Sequence, residues 1–262
     1  MLFLGYLLLG ACAGMLAGLF GIGGGLIIVP VLVATFRLQG VHPDVITHLA
    51  LGTSMLTMIF TGVSSLRVHQ MRGAVDWPLI RQLAVGMILG GWLGGLTASL
   101  LPATTLNLII GIFAWAMALQ MGLSLQPKGG RPLPGRAGNG VAGLVIGWMS
   151  AIFGIGGGSL TVPYLSWCSV PMSRAVAVSA ACSLPIALSG SLSYLYAGWG
   201  HGDLPEWSVG YVYLPALLGI VLTSTQFARI GARLAHRLPP KRLKQGFACL
   251  LLVVGAKFML FS

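Results

Sequence analysis

Two stretches of this chain carry the residues best suited to holding a ligand. Phe20-Gly-Ile-Gly-Gly-Gly25 and Phe153-Gly-Ile-Gly-Gly-Gly158 are identical, and each continues as x-x-x-Val-Pro-x-Leu. Glycine reaches dihedral angles closed to other residues and lets a ligand approach the main chain closely. Inside an apolar segment, backbone that leaves helical geometry is tolerated only where it is buried in protein or lines a watery cavity. A short new helix is expected to start at about Leu26 and Ser159 and to end or kink at Pro30 and Pro163. Its N-terminus would present free N–H groups and a partial positive charge, which attract an anion without any buried arginine. The candidate binding residues are therefore Gly21, Gly23, Gly24 and Gly25 in the first break and Gly154, Gly156, Gly157, Gly158 and Ser159 in the second.

The segment after each break adds hydroxyls. Thr53, Ser54 and Thr57 are the candidates in the first, followed by Thr61, Ser64 and Ser65. Aligning Pro43 with Pro171 sets Thr53-Ser54 opposite Ala181-Cys182, which makes Cys182 and Ser183 the candidates in the second, with Ser179 and Ser189 nearby. These groups can hydrogen-bond an oxyanion, although Ser and Thr more commonly bond back to their own helix carbonyls. His48, just inside an apolar segment, could relay protons or simply sit at a membrane interface. His69 and His201 read as loop residues, and Asn107 and Gln120 as polar links between helices.

Other chemistry is missing. No acidic residue falls in the middle of an apolar segment, so a buried carboxylate relay and a cation site are both disfavoured. There is no zinc-protease motif, no nucleophile elbow and no nucleotide-binding loop. Cys12, Cys168, Cys182 and Cys249 lie in apolar stretches without metal-type spacing. We expect no catalytic residues, no metal and no cofactor.

The elements that would position these residues are membrane helices. Of 262 residues 56% are hydrophobic and 7% charged, with a mean hydropathy of +0.91. Charged residues make up about a quarter of an ordinary soluble domain, so the composition argues against a soluble protein. The net charge of +11 comes from basic residues in short loops, which is a topology signal and not a nucleic-acid footprint. Leu9-Gly10-Ala11-Cys12 resembles a lipoprotein cleavage site, but the stretch before it has no basic residue and it belongs to the repeat, so it is kept in the mature chain.

Apolar segments cover about 2–36, 45–66, 77–101 and 104–125, then 139–169, 172–198, 207–235 and 243–261. Weaker echoes of the repeat pair Gly62 with Gly190, Gly94 with Gly231, and Leu101-Pro102 with Leu238-Pro239. If all eight segments cross once, eight basic residues fall on one side and seven on the other, which is no bias. If the first segment of each half dips in, breaks at its glycines and returns, thirteen face one side and only Arg37 and Lys257 the other. The second arrangement satisfies the positive-inside rule. It leaves three crossings per half, so the halves insert oppositely, as in carriers built from inverted repeats. The expected fold is an all-α polytopic membrane protein with two inverted repeats, each a glycine-broken re-entrant hairpin plus three transmembrane helices. Residues 1–125 form the first repeat, 126–138 a cytoplasmic linker and 139–262 the second, with both termini outside.

The duplicated glycine motif, the Ala50-Leu-Gly-Thr-Ser54 stretch and Gly73-Ala-Val-Asp-Trp77 together resemble the sulfite exporter TauE/SafE family, including its toluenesulfonate permease type. That resemblance covers nearly the whole chain. It implies movement of small sulfur-containing anions such as sulfite or organosulfonates, usually outward, across the inner (plasma) membrane. The second half departs from the first where Ala181-Cys182 replaces Thr53-Ser54, which makes asymmetric contacts expected. A passive anion channel and a non-transporting membrane subunit of an enzyme complex remain the alternatives. The expected partners are a small anion and the lipid bilayer, with room for a homodimer and none for nucleic acid.

Overall fold

The computed structural model describes residues 2–20, 25–71, 73, 75–123, 130–235 and 240–260. Gly21, Gly23 and Gly24, and part of the linker between the halves, lie outside the described residues. Ten helices run through the rest: α1 (Leu2–Phe20), α2 (Gly25–Leu38), α3 (Pro43–Met71), α4 (Trp77–Leu100), α5 (Ala103–Gly122), α6 (Arg136–Phe153), α7 (Gly158–Trp167), α8 (Met172–Ala197), α9 (Leu214–Ala235) and α10 (Pro240–Leu260). Among the described residues, α3, α4, α5 and α8 are long and apolar enough to cross a membrane. At 1.5 Å per residue, α4 alone reaches about 36 Å, more than the ~30 Å hydrocarbon core. Leu89, Leu108, Ile112, Val145, Leu192 and Leu218 are exposed, as a lipid-facing surface requires.

Local chemistry sets the helix ends. Asp76 caps α4 by accepting from the Leu79 amide at 3.3 Å, and Pro78 lies in the first turn, where no donor is needed. Gly154 ends α6 in the left-handed region at φ +62°, with the Ile155 amide donating back to Ser150 O at 3.0 Å. Only glycine takes that conformation without strain. Pro30 and Pro163 do not end their helices: α2 continues to Leu38 and α7 to Trp167. Each proline removes one internal donor but leaves the packed turns on either side intact.

One segment departs from the all-helical expectation. Residues 207–213 form a small hairpin, β1 (Ser208–Val209) against β2 (Val212–Tyr213), before α9 begins. Trp207 and Gly210 both adopt positive φ, which breaks any helix there. The hairpin packs on the end of α8, where the Tyr211 amide donates to Tyr194 O at 3.2 Å.

Glycine seams join the halves. A Cβ built at Gly86 would meet the Gly140 carbonyl and Leu144, while one at Gly94 would meet Trp148 and Ala151. The positions rise together, so α4 and α6 run parallel, backbone against backbone. In the same way Tyr6 faces Gly219, Gly10 faces Ile220 and Gly14 faces Ser224, so α1 and α9 are parallel. Each half thus lays its first helix against a late helix of the other, through small residues that permit close approach. Between α3 and α8 the direction reverses: Gly62 meets Ser183 and Leu184, and Met55 meets Gly190. Thr47 donates to Asn107 at 2.7 Å, linking α3 to α5, as the polar residue in that segment suggests.

The broken pairs have matching clamps. The Tyr6 hydroxyl near the start of α1 donates to Gln39, just past the end of α2, at 2.8 Å. In the second half the Tyr164 hydroxyl near the end of α7 donates to Asn139 near the start of α6, also at 2.8 Å. Both bonds draw the two open ends of a helix pair together, opposite the glycine break.

Candidate functional site

The two breaks meet. Gly25, the first residue of α2, is buried against the second break, where an added Cβ would lie 2.8 Å from Ile155 Cα and strike the Gly154 carbonyl. Ser54 donates to that same carbonyl at 3.2 Å. Tyr194 secures the end of α6 by donating to Ala151 O at 3.0 Å, and Phe153 stacks on Phe113 of α5 at 3.8 Å between ring centroids. The Gly154 turn is therefore held from α2, α3, α5 and α8.

Beyond it, α7 begins at Gly158 with Gly157 as its N-cap, and no side chain caps it. Thr161 N is the first amide bonded within the helix, to Gly157 O at 2.8 Å. The amides of Gly158, Ser159 and Leu160 are thus the unpaired donors expected of any helix start. Ser159 and Thr161 also have buried hydroxyls without a partner among the described residues. A buried hydroxyl left alone is costly, but Ser150, Ser166, Ser208 and Ser224 share that state, and neither Ser159 nor Thr161 is among the residues lining the cavity that adjoins the helix start.

That cavity has a volume of about 90 Å³. At ~30 Å³ per water it has room for about three waters, or one small oxyanion. Gly156 and Gly158 line it from the break, Thr61, Ser65 and His69 from α3, and Ser179 and Ser183 from α8. Among the described residues no carboxylate lines it. It extends from the break toward the end of α3 and the start of α8, where Arg67 and Arg174 stand exposed. The Ser183 hydroxyl donates to Ala180 O at 2.7 Å and Ser179 to Val176 O at 2.9 Å. These back-bonds to the same helix can be exchanged for a bound acceptor by rotation of the hydroxyl.

The remaining candidates are placed differently. Thr53, Ser54 and Thr57 are fully buried on α3 and each is engaged: Thr53 Oγ1 accepts from the Tyr213 amide at 3.0 Å, and Thr57 donates to Thr53 O at 2.8 Å. Cys182 is fully buried in α8, away from the cavity lining, whereas its neighbour Ser183 lines it. Gly157 packs on α8, its would-be Cβ 3.4 Å from Ser183 N. Gly21, Gly23 and Gly24 fall outside the described residues.

His69 is not a loop residue. α3 runs past the end of its apolar stretch, which carries His69 onto the cavity wall. The missed signal is a spacing: Met58, Thr61, Gly62, Ser65 and His69 form one helical stripe, and Val176, Ser179, Ala180 and Ser183 form its counterpart. His48 is buried, with Nδ1 3.1 Å from Asp44 O and Nε2 3.1 Å from the carbonyls of Ala98 and Leu101 at the end of α4. It stacks on Tyr211 at 5.2 Å, so it ties α3 to α4 and the hairpin instead of facing an open interface.

Residues 6–258, nearly the whole chain, match the family described as "Sulfite exporter TauE/SafE". The chain belongs to the sulfite exporter TauE/SafE family. This TauE/SafE chain is 39% identical to a "Probable membrane transporter protein" of Haemophilus influenzae, over 97% of both chains. It is 28% identical to a protein of that same name class from Methanocaldococcus jannaschii, over 97% of this chain and 94% of that one. A further such relative in Bacillus subtilis is 27% identical over 96% and 95%. No solved structure matches the TauE/SafE chain. Family and relatives together make it a membrane transporter, in agreement with its apolar helices.

Proposed function

We propose that this chain is a secondary carrier of small sulfur-containing oxyanions, sulfite or organosulfonates, working in the export direction. The observation that carries the reading is the start of α7, which among the described residues has no side-chain cap and a Ser159 hydroxyl without a partner, and whose Gly158 lines a cavity shared with Thr61, Ser65, Ser179 and Ser183. The anion sits with its oxygens on the amides of Gly158, Ser159 and Leu160, and the hydroxyls of Ser183 and Ser65 turn toward it. Backbone amides and hydroxyls stabilise a negative charge without the desolvation cost of a buried arginine. The family's description supports the sulfur oxyanion as the substrate class.

The proposed topology is an inverted pair of repeats. Supporting it, α6 and α8 both run parallel to α4, so α7 must return between them: it starts beside the middle of α8 and ends where α8 begins. The antiparallel pairing of α3 with α8, its partner in the repeat, has the sense expected when two halves insert oppositely. Alternating access would then move one clamped hairpin against the other half, with the meeting point of Gly25 and Gly154 as the fulcrum.

The test is counterflow in proteoliposomes. Vesicles loaded with sulfite should take up labelled sulfite or a sulfonate by exchange, while sulfate and chloride do not exchange. Flux that follows the membrane potential without exchange would replace the carrier by a channel. Absence of any anion flux from folded protein would leave a membrane subunit of other purpose.

A further inference from the structure

We propose that the outer groove between α4 and α6 is a binding site for an anionic phospholipid, with its phosphate on Arg81 and Arg136 and an acyl chain lying along the two helices. The groove has a volume of about 700 Å³, and the described residues that line it all belong to these two helices. Its shape follows from the glycine seam. Where Gly86 touches the Gly140 backbone the helices come too close for side chains to fill the outer face, and a Cβ at Gly140 would meet only open space. Below this floor Asn139 donates to Gln82 at 2.7 Å and ties the helices at the head of the groove.

The walls and the head differ in chemistry. Val85, Leu89, Val141 and Leu144 are exposed along the length, with Val85 and Val141 each 65% exposed. Arg81 and Arg136 stand exposed at one end. Neither has a carboxylate partner among the described residues. The chain has only four acids, and Asp44 faces His42, Asp76 pairs with Arg174, and Asp203 faces His201. Glu206 lies in the loop after α8, which runs parallel to α4, and so falls toward the opposite end of α4 from Arg81. Two uncompensated guanidinium groups above an apolar channel match a phosphate joined to an acyl chain, and planar guanidinium forks bind phosphate oxygens in pairs. Basic pockets between membrane helices take anionic headgroups for this reason. The start of α6 adds to it: Gly135 offers no side-chain cap, so first-turn amides beside Arg136 stay open to the phosphate. A second copy of the chain fits this face poorly, because a two-fold contact would set the same arginines against each other without an acid between them.

The experiment is native mass spectrometry of the full chain in detergent, with phosphatidylglycerol or phosphatidylcholine of the same acyl chains, alongside thermal unfolding. The wild type should retain phosphatidylglycerol at least tenfold more tightly than phosphatidylcholine, and its unfolding midpoint should rise with the anionic lipid. Arg81→Gln with Arg136→Gln should erase that preference while leaving the midpoint in phosphatidylcholine unchanged, since both side chains are exposed. Gly140→Leu should fill the groove and weaken phosphatidylglycerol retention although both arginines remain. Equal retention of the two lipids, or a preference that survives both variants, would overturn the proposal. So would a dimer that Gly140→Leu converts to monomer without changing lipid retention, since the face would then belong to a second copy.

Discussion

Ser54 on α3 donates its hydroxyl to the carbonyl of Gly154 at 3.2 Å, across 100 residues of sequence and from one half of the chain to the other. The bond satisfies a carbonyl that the left-handed turn at Gly154 removes from helical pairing. It also makes Ser54 part of the scaffold that shapes the second break. Ser54→Ala is expected to leave a buried acceptor without its donor and to cost about 1–3 kcal/mol. Thermal unfolding in detergent should show a lowered midpoint, with transport rate falling more than substrate affinity. An unchanged midpoint would mean that the carbonyl is satisfied some other way.

The glycines of the breaks should separate into two kinds. A side chain at Gly25 would strike the Gly154 carbonyl and Ile155 Cα, and one at Gly154 would add about 1–2 kcal/mol of left-handed strain to contact with Val29 at 2.9 Å. At Gly158 a Cβ meets nothing within 4 Å. Gly25→Ala and Gly154→Ala should therefore give little folded protein, judged by fluorescence-detected size exclusion, whereas Gly158→Ala should fold normally. If all three behave alike, the backbone contact between the breaks is not the constraint described above.

Ser159 offers a sharper test of the anion site. Its hydroxyl is buried and has no partner among the described residues, so Ser159→Ala should leave stability unchanged or slightly raised. If the hydroxyl donates to the bound anion, losing a charge-assisted bond of about 1.5 kcal/mol or more should raise the apparent KM for sulfite at least tenfold. Counterflow measured over a range of sulfite concentrations would reveal this. A KM equal to that of the wild type would remove Ser159 from the site.

Topology can be read by labelling single cysteines in a background without the native four. Residues introduced in 130–135 and in Gly202–Glu206 should react with a membrane-impermeant reagent from opposite faces, as inverted repeats require. Reaction of both from one face would restore eight simple crossings.

Asp76 has two duties, capping α4 through Leu79 N and pairing with Arg174 at the start of α8. Asp76→Asn keeps a cap and loses the charge, and should cost less than 1 kcal/mol, because Arg174 is half exposed and its ion pair is screened. Asp76→Ala loses the cap as well and should cost about 1 kcal/mol more. Paired midpoints for the two variants measure the difference.

Much of this protein is legible one residue at a time. Glycine-broken segments in two copies and the apolar stretches that become helices are local matters of dihedral freedom and hydropathy, which the sequence alone determines; the hairpin at 207–213 and the continuation of α2 and α7 past Pro30 and Pro163 depend on packing and were not legible that way. The membrane class follows too, since a composition with 7% charged residues argues against a soluble protein. What the tertiary structure decided is which polar groups remain available. Thr53 and Ser54 look like ligands in isolation, but their partners, Tyr213 and Gly154, are 160 and 100 residues away and reach them only when the halves interlock. His69, passed over as a loop residue, joins the cavity because α3 continues and α8 packs against the same face. Hydrogen bonding is short-ranged and directional, so a hydroxyl is a binding group or a scaffold group according to its neighbours in space, which no local pattern specifies.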